Sequence, residues 1–180
     1  MLYHGQPQFP VLTGDWKLDG PKLITAWNRF LQSLNDDGAL AIVEKSKWTP
    51  AITFATPGDL AVTYTTQVGD LAIIDGEVRA GFRIITSAFT HTTAAGNLQI
   101  TGLPIQANSD SGFVWSGALP SWGGITMAGG RTQCGLSITA GTSVITVTAS
   151  GSAVASANIT AAEMPTGGAV VLRGDIRFRI

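Results

Sequence analysis

The side chains that could carry catalysis are few in this chain of 180 residues. A nucleophilic triad needs a base within reach of the nucleophile, and that base is usually a histidine. The chain has two histidines: His4 lies in an irregular N-terminal stretch, and His91 lies at a predicted loop tip in FTHTTAAG. The single cysteine, Cys134, has no basic neighbour in the sequence to activate a thiolate, and no HExxH or CxxC spacing occurs. We therefore predict no catalytic residue, no metal site and no cofactor.

Three acidic residues fall close together in VGDLAIIDGEV, namely Asp70, Asp75 and Glu77. A glycosidase needs two carboxyl groups roughly 5 to 9.5 Å apart, and Asp75 and Glu77 could form such a pair if both point to one side. The dipeptide Asp75-Gly76 is also the strongest short signal for a β-hairpin turn. We favour the turn, so the chain is predicted not to be an enzyme, with glycosidase-type activity as the alternative.

Aromatic residues are the better candidates for binding. Phe113, Trp115 and Trp122 lie close together in GFVWSGALPSWGG, and aromatic faces serve as stacking platforms for sugar rings or as core filler. Phe113 and Trp115 share a strand parity, so they should face the same way. The glycine-rich surroundings of Trp122 favour an exposed position there. Packing in the core is the favoured interpretation of the aromatic residues. As the alternative, Phe113, Trp115 and Trp122 form, together with His91, the candidate glycan-binding set.

One clear helix precedes these residues. Asp19 is a plausible N-cap and Pro21 stands near the first helical position, where its missing N–H is tolerated. The apolar positions are spaced 3, 4 and 3 apart and form a seam: Ile24, Trp27, Leu31 and Leu34. The seam could pack on the helix's own domain or form a short coiled coil with copies of the same chain, and the spacing leaves both possibilities open.

After the helix, the composition changes at Trp48-Thr49-Pro50, where Pro50 disfavours a helix at the residue before it. Short runs of Thr, Val, Ile and aromatic residues follow, punctuated by glycine, as in Ile145, Val147 and Ala149, which alternate with threonines. This pattern predicts about nine to eleven strands in an antiparallel, jelly-roll-like sandwich or a barrel-like domain. We therefore expect an irregular segment over 1–19, a helical neck and linker over 20–47, and a β-rich domain over 48–180.

The charge content limits the classes of partner. Only 13% of residues are charged and the formal net charge is −1, against roughly 25% charged residues in average chains. Such a chain should bury apolar surface against other chains. The absence of a basic excess argues against nucleic acid and anionic membranes, and no run approaches the roughly 20 apolar residues of a membrane span. The N-terminus lacks the plan of a signal peptide, so synthesis in the cytoplasm is expected.

Four short elements occur in order between residues 48 and 180. They are Trp48-Thr49-Pro50, YTTQVG at 64–69, ITGLP at 100–104 and the closing GDIRFRI at 174–180. This ordered set resembles the β-domains of many phage structural proteins, and the helical AWNRFLQSL is similar to the stretch that often precedes them. After Gly69 the chain departs from that pattern, with Leu71 and IIDGEV where such domains carry a tyrosine and an I-G-N turn.

The resemblance implies a virion appendage, that is, a tail fibre, head fibre or spike of a phage or phage-derived particle. Such proteins are homotrimers with an N-terminal anchor, a helical neck and a β-domain that binds the host surface. Here the apolar N-terminal residues Tyr3, Phe9 and Trp16 would anchor the chain to other virion proteins, and the helical seam would form the trimer neck. The expected ligand is host-cell polysaccharide. A glycan-depolymerising spike and a purely structural decoration or connector protein are the alternatives.

Overall fold

The β-rich part of the chain folds as the strand pattern predicts. The computed structural model describes residues 20–29, 43–110 and 112–180, and residues 20–29 form a helix, α1. The described part also contains a short 3₁₀ helix, Ala161–Glu163, and ten strands. The strands are β1 Val43–Trp48, β2 Ala51–Thr56, β3 Ala61–Ile74, β4 Glu77–Thr90, β5 Ala95–Thr101, β6 Val114–Gly123, β7 Gln133–Thr139, β8 Ile145–Gly151, β9 Val154–Asn158 and β10 Val171–Arg179. The prediction of a mainly antiparallel β-protein preceded by a short helix is confirmed.

All the strands belong to one hydrogen-bonded sheet. Its order is β1-β3-β4-β10-β6-β7-β8-β5-β2, with β9 paired to β8, and every pairing is antiparallel. The two sides of this order meet again across the core, because the backbone N–H of Ile52 on β2 donates to the Tyr64 hydroxyl on β3 at 2.8 Å. The sheet is therefore curled on itself, which corresponds to the barrel-like form of the predicted architectures.

Alternation along the central strands β4 and β10 sends one set of their side chains into the core. On β4, the buried residues Val78, Ala80, Phe82 and Ile84 alternate with Arg79, Gly81 and Arg83 on the outer side. The same alternation on β10 buries Leu172, Ile176 and Phe178. Because successive side chains of a strand point to opposite faces, the inner face of the curled sheet becomes apolar and its outer face polar.

The Trp48-Thr49-Pro50 stretch belongs to the β-unit and lies near the start of it. This unit runs from Val43 to Ile180, so it begins earlier than the predicted boundary at Trp48, because residues 43–47 pair with β3. The Trp48 side chain is 6% exposed and lies edge-on to Phe82, with 6.2 Å between ring centroids. Its Nε1–H group donates to the carbonyl oxygens of Asp70 and Gly81, at 3.2 Å each. Trp48 therefore caps the β-core of its own chain.

Other residues of the ordered motif set contact this tryptophan or the residues beside it. Gly69 lies directly under the Trp48 ring, where a Cβ atom would collide with the indole. Gly102 adopts a φ of 97°, and a Cβ atom there would collide with the Thr49 carbonyl oxygen. The Trp-Thr-Pro, YTTQVG and ITGLP elements thus meet at one place, where their role is packing.

The helix α1 belongs to a separate unit from the β-unit. Two residues of its predicted seam are largely exposed, Ile24 at 59% and Trp27 at 54%. Leu31 and Leu34 of the seam, and the anchor residues Tyr3, Phe9 and Trp16, lie outside the described residues. The trimer neck and the virion anchor therefore stay predictions. Among the helices that the structure describes, none is long and apolar enough to cross a membrane.

Candidate functional site

A pair of stacked aromatic rings lies at the start of β6. The Phe113 and Trp115 rings have centroids 5.8 Å apart and planes inclined by 22°. They lie on the same side, as their shared parity predicts. Phe113 is 58% exposed, whereas Trp115 is partly buried against the core. Because the inner ring is held by packing, the outer ring presents a supported aromatic face to solvent, which is the surface that a sugar ring stacks on.

The backbone around Phe113 is held on both sides. Its carbonyl oxygen accepts a hydrogen bond from the N–H of Ala140 at 3.2 Å, and its own N–H donates to the Asp110 carbonyl oxygen at 3.5 Å. The aromatic pair is therefore attached to the β6–β7 end of the sheet rather than to a free loop tip.

Trp122 does not join this pair. It lies near the other end of β6, about 24 Å from Trp115 along an extended strand. Its side chain is partly buried and packs against the core, so the exposure that its glycine-rich surroundings suggested is only partial. The structure therefore separates one of the predicted glycan-binding residues from the other two aromatic ones.

His91 lies in the loop after β4, but its side chain points inward and is 7% exposed. Its ring lies edge-on to Phe54 and Phe89, with centroid distances of 5.1 and 5.7 Å. The buried Nε2 atom has no hydrogen-bond partner among the described residues. A histidine at a loop tip was expected to offer a polar ring to a ligand, but this one fills the core between two phenylalanines, which leaves it little surface for a sugar.

The acidic pair Asp75 and Glu77 belongs to a tight turn. Ile74 on β3 pairs directly with Glu77 on β4, and the connecting residues Asp75 and Gly76 have φ values of 51° and 70°. Positive φ at both central positions is the geometry of a type I′ hairpin turn. Glu77 accepts a hydrogen bond from Nε of Arg79 at 2.9 Å, and both side chains are well exposed. The preferred interpretation of DGEV as a turn is therefore confirmed.

A second group of polar residues, which the sequence interpretation missed, surrounds Gly81 on the outer face of the sheet. A depression of about 400 Å³ opens here, lined by charged side chains from β1, β3, β4 and β10, namely Lys47, Asp70, Arg83, Arg173 and Asp175. The period-two placement of charges on β4 and β10 is visible in the sequence. That β4 and β10 are neighbours is not visible in the sequence, because their paired positions are 86 to 102 residues apart, from Val171 and Ile85 to Arg179 and Glu77.

Comparisons with known proteins support the fold assignment. No protein-family model matches the chain, and no curated protein does. Among solved structures, the chain is similar to the Dettilon tailspike protein (gp208), with a TM-score of 0.55 and 16% sequence identity. The similarity covers 74% of this chain but 23% of that one, so the chain corresponds to less than a quarter of the tailspike's length. At this identity the likeness is one of fold: the β-fold of this chain also occurs in a phage tailspike protein.

Proposed function

We propose that this chain is part of a phage tail spike or fibre and attaches the particle to host-cell surface polysaccharide. The observation that carries the proposal is the fold likeness to a phage tailspike protein over 74% of the chain. The ordered Trp-Thr-Pro, YTTQVG, ITGLP and GDIRFRI elements support the same class independently, because they come from the sequence alone.

The exposed aromatic pair is the proposed contact with neutral sugar rings. Phe113 offers its face to solvent and Trp115 supports it from behind. Weak stacking of this kind becomes useful when copies act together, and the exposed residues Ile24 and Trp27 on α1 are the start of the surface proposed to join three chains. A homotrimer would thereby multiply a modest single-site affinity.

The test measures binding of the purified full chain to an array of bacterial surface polysaccharides. Replacing Phe113 with alanine removes the exposed ring, and we expect about a tenfold loss of affinity, since an aromatic contact is worth about 0.5–1.5 kcal/mol beyond its buried area. Val114→Ala is the matched control, because Val114 is the next residue and is 57% exposed against 58% for Phe113. Equal losses in both variants, or binding to no glycan on the array, would contradict the proposal.

The oligomeric state is tested separately by light scattering on the full chain. We expect the mass of three chains, and a change to a monomeric mass when Ile24 and Trp27 are both replaced by serine. A wild-type chain that is monomeric at working concentration would remove the trimer from the proposal.

A glycan-depolymerising activity is the second candidate, and one observation favours it. Asp70 and Asp175 lie on either side of Gly81 in the outer-face depression, one on β3 and the other on β10. Two inter-strand spacings separate their backbones by about 10 Å, slightly more than the roughly 6.5–9.5 Å between the carboxyl groups of inverting glycosidases. Both side chains are exposed, without the apolar surroundings that hold a catalytic acid in its protonated form.

Incubating surface polysaccharides with the full chain and assaying new reducing ends tests this candidate. Activity that disappears in Asp70→Asn and in Asp175→Asn, but persists in Asp75→Asn, would support it. If no reducing ends appear on a polysaccharide that the protein binds, the chain is a binding protein only.

A further inference from the structure

The lysines and arginines of this chain are concentrated on one face. Seven of its eleven basic residues lie on the outer face of β1, β3, β4 and β10, and all are exposed: Lys45, Lys47, Arg79, Arg83, Arg173, Arg177 and Arg179. The strand registers place three carboxylates on the same face: Asp70, Glu77 and Asp175. The face therefore carries an excess of four positive charges on a chain whose formal net charge is −1.

The register between β4 and β10 sets like charges directly opposite one another. Arg83 pairs with Arg173, and Arg79 pairs with Arg177. Like charges at directly opposite positions destabilise a sheet. Arg79 forms an ion pair with Glu77 on its own strand. Within the described residues, Arg83, Arg173 and Arg177 form neither an ion pair nor a side-chain hydrogen bond. The folded chain thus holds a repulsive arrangement that a bound anion would relieve.

The depression around Gly81 gives this face a place for a ligand. Gly81 contributes no side chain, and Lys47, Arg83 and Arg173 stand around it. The depression measures about 400 Å³, within the range of roughly 300–1,000 Å³ of small-molecule sites. Arginine presents a planar set of donors that matches carboxylate, sulfate and phosphate groups in a bidentate manner. The site is therefore suited to a charged sugar residue.

The other residues of the face indicate which class of polyanion fits. Asp70 and Asp175 stand among the basic residues, where they would repel a continuous phosphodiester backbone but accept hydrogen bonds from hydroxyl groups. Single-stranded nucleic acid is usually held by stacking on aromatic side chains, and this face has none among the described residues. Protein interfaces, in turn, are depleted of charge at their centre. A polymer that presents both anionic groups and neutral hydroxyls matches this face best.

We propose that the outer face of β1, β3, β4 and β10 binds an acidic polysaccharide, with Arg83 and Arg173 contacting its anionic groups beside Gly81. This inference rests on the proposed function, because it specifies the charge of the host polysaccharide and assigns it a site separate from the Phe113–Trp115 pair.

The experiment uses the full chain and fluorescently labelled oligosaccharides of alginate, a polyuronate, with dextran oligosaccharides as the neutral probe and oligo-dT of equal charge as the nucleic-acid probe. Binding is followed by fluorescence anisotropy at about 50 mM and about 200 mM NaCl. We expect alginate to bind more tightly than dextran and oligo-dT, and its affinity to fall with salt.

The variant Arg83→Ala/Arg173→Ala should lose at least about tenfold in alginate affinity, because two charge-assisted contacts disappear. The matched control, Lys22→Ala/Arg29→Ala, removes the same charge from α1 and should change the affinity by less than about twofold. Because the face variant also removes a like-charge pair, its melting temperature should stay the same or rise, which separates lost binding from lost folding.

Equal binding of alginate and dextran, or an unchanged affinity in the face variant, would overturn the inference. Tighter binding of oligo-dT than of alginate would assign the face to nucleic acid instead. The two proposals can also fail separately. If alginate binding needs Arg83 and Arg173 but no bacterial polysaccharide on the array is bound, the result supports the proposed binding face and refutes the proposed function. Binding to polysaccharides on the array that is unchanged in the face variant would support the proposed function and refute the assignment of the polysaccharide to this face.

Discussion

Replacing Glu163 with glutamine should destabilise the β-unit by about 3 kcal/mol, because one buried carboxylate serves several donors. Glu163 is 8% exposed. Its Oε2 accepts from the Thr160 N–H at 2.9 Å and from the Thr160 hydroxyl at 3.2 Å. Its Oε1 accepts from the Ala128 N–H at 3.1 Å and from Nη1 of Arg131 at 3.4 Å. This carboxylate therefore joins the 3₁₀ helix to the loop before β7.

The expected loss of stability follows from the hydrogen bonds of the carboxylate that an amide group cannot make. Glutamine keeps one oxygen, so its NH₂ group must face either the Thr160 N–H or the Ala128 N–H. A buried donor without an acceptor costs about 1–3 kcal/mol, and losing the charge weakens the bonds that remain. For a chain of this size, about 3 kcal/mol corresponds to a fall of roughly 6–12 °C in the melting temperature. Glu77→Gln is the control, since the exposed ion pair of Glu77 with Arg79 is worth at most about 1 kcal/mol.

The difference in stability between wild type and Glu163→Gln should decrease as the pH falls. Burial raises the pKa of Glu163, but hydrogen bonds from Thr160 and Ala128 and the charge of Arg131 outweigh it, so the pKa lies below the ordinary value of 4.5. A group with a lowered pKa stabilises the fold above its unfolded-state pKa and loses that contribution as the pH falls through the folded-state value.

Thermal unfolding followed by circular dichroism at neutral pH and at about pH 3 tests the loss of stability and its pH dependence. The difference in unfolding free energy between wild type and Glu163→Gln should be smaller at the lower pH. A difference in unfolding free energy below about 1 kcal/mol at neutral pH would contradict this role of the carboxylate, and so would a difference that is just as large at about pH 3.

Three further predictions concern single side chains that are wholly or partly buried. Thr86→Val should cost about 1–3 kcal/mol in urea unfolding, because the buried Thr86 hydroxyl accepts the Val170 N–H at 2.8 Å, whereas Thr90→Val, on the exposed end of β4, should cost much less. Burial raises the pKa of Cys134 to about 11, so alkylation of the folded chain at about pH 8 should be on the order of a hundredfold slower than in denaturant; equal rates would contradict this. His91→Leu should leave the melting temperature unchanged or raise it, because leucine removes a buried nitrogen that has no partner among the described residues; a loss of stability above about 1 kcal/mol would contradict this.

Features that depend on neighbours along the chain could be predicted from the sequence. Alternation with a period of two predicted strands, and Asp75-Gly76 predicted the turn that joins β3 to β4, because a type I′ turn needs positive φ at two adjacent residues. The parity of Phe113 and Trp115 predicted that their rings share one side. Each of these depends on local geometry, which residue types at fixed spacing are enough to specify.

Which strands become neighbours could not be predicted, because it depends on how the whole chain packs. The register sets Arg173 of the final strand opposite Arg83, a residue 90 positions earlier in the chain. In the same way, closure of the core turned His91 inward between two phenylalanines and placed Trp48 over Gly69. Strand order follows from burying the whole apolar face of the sheet at once, and that collective requirement has no local signature. The sequence therefore specified strands, turns and side-chain parity, whereas packing created the cationic face.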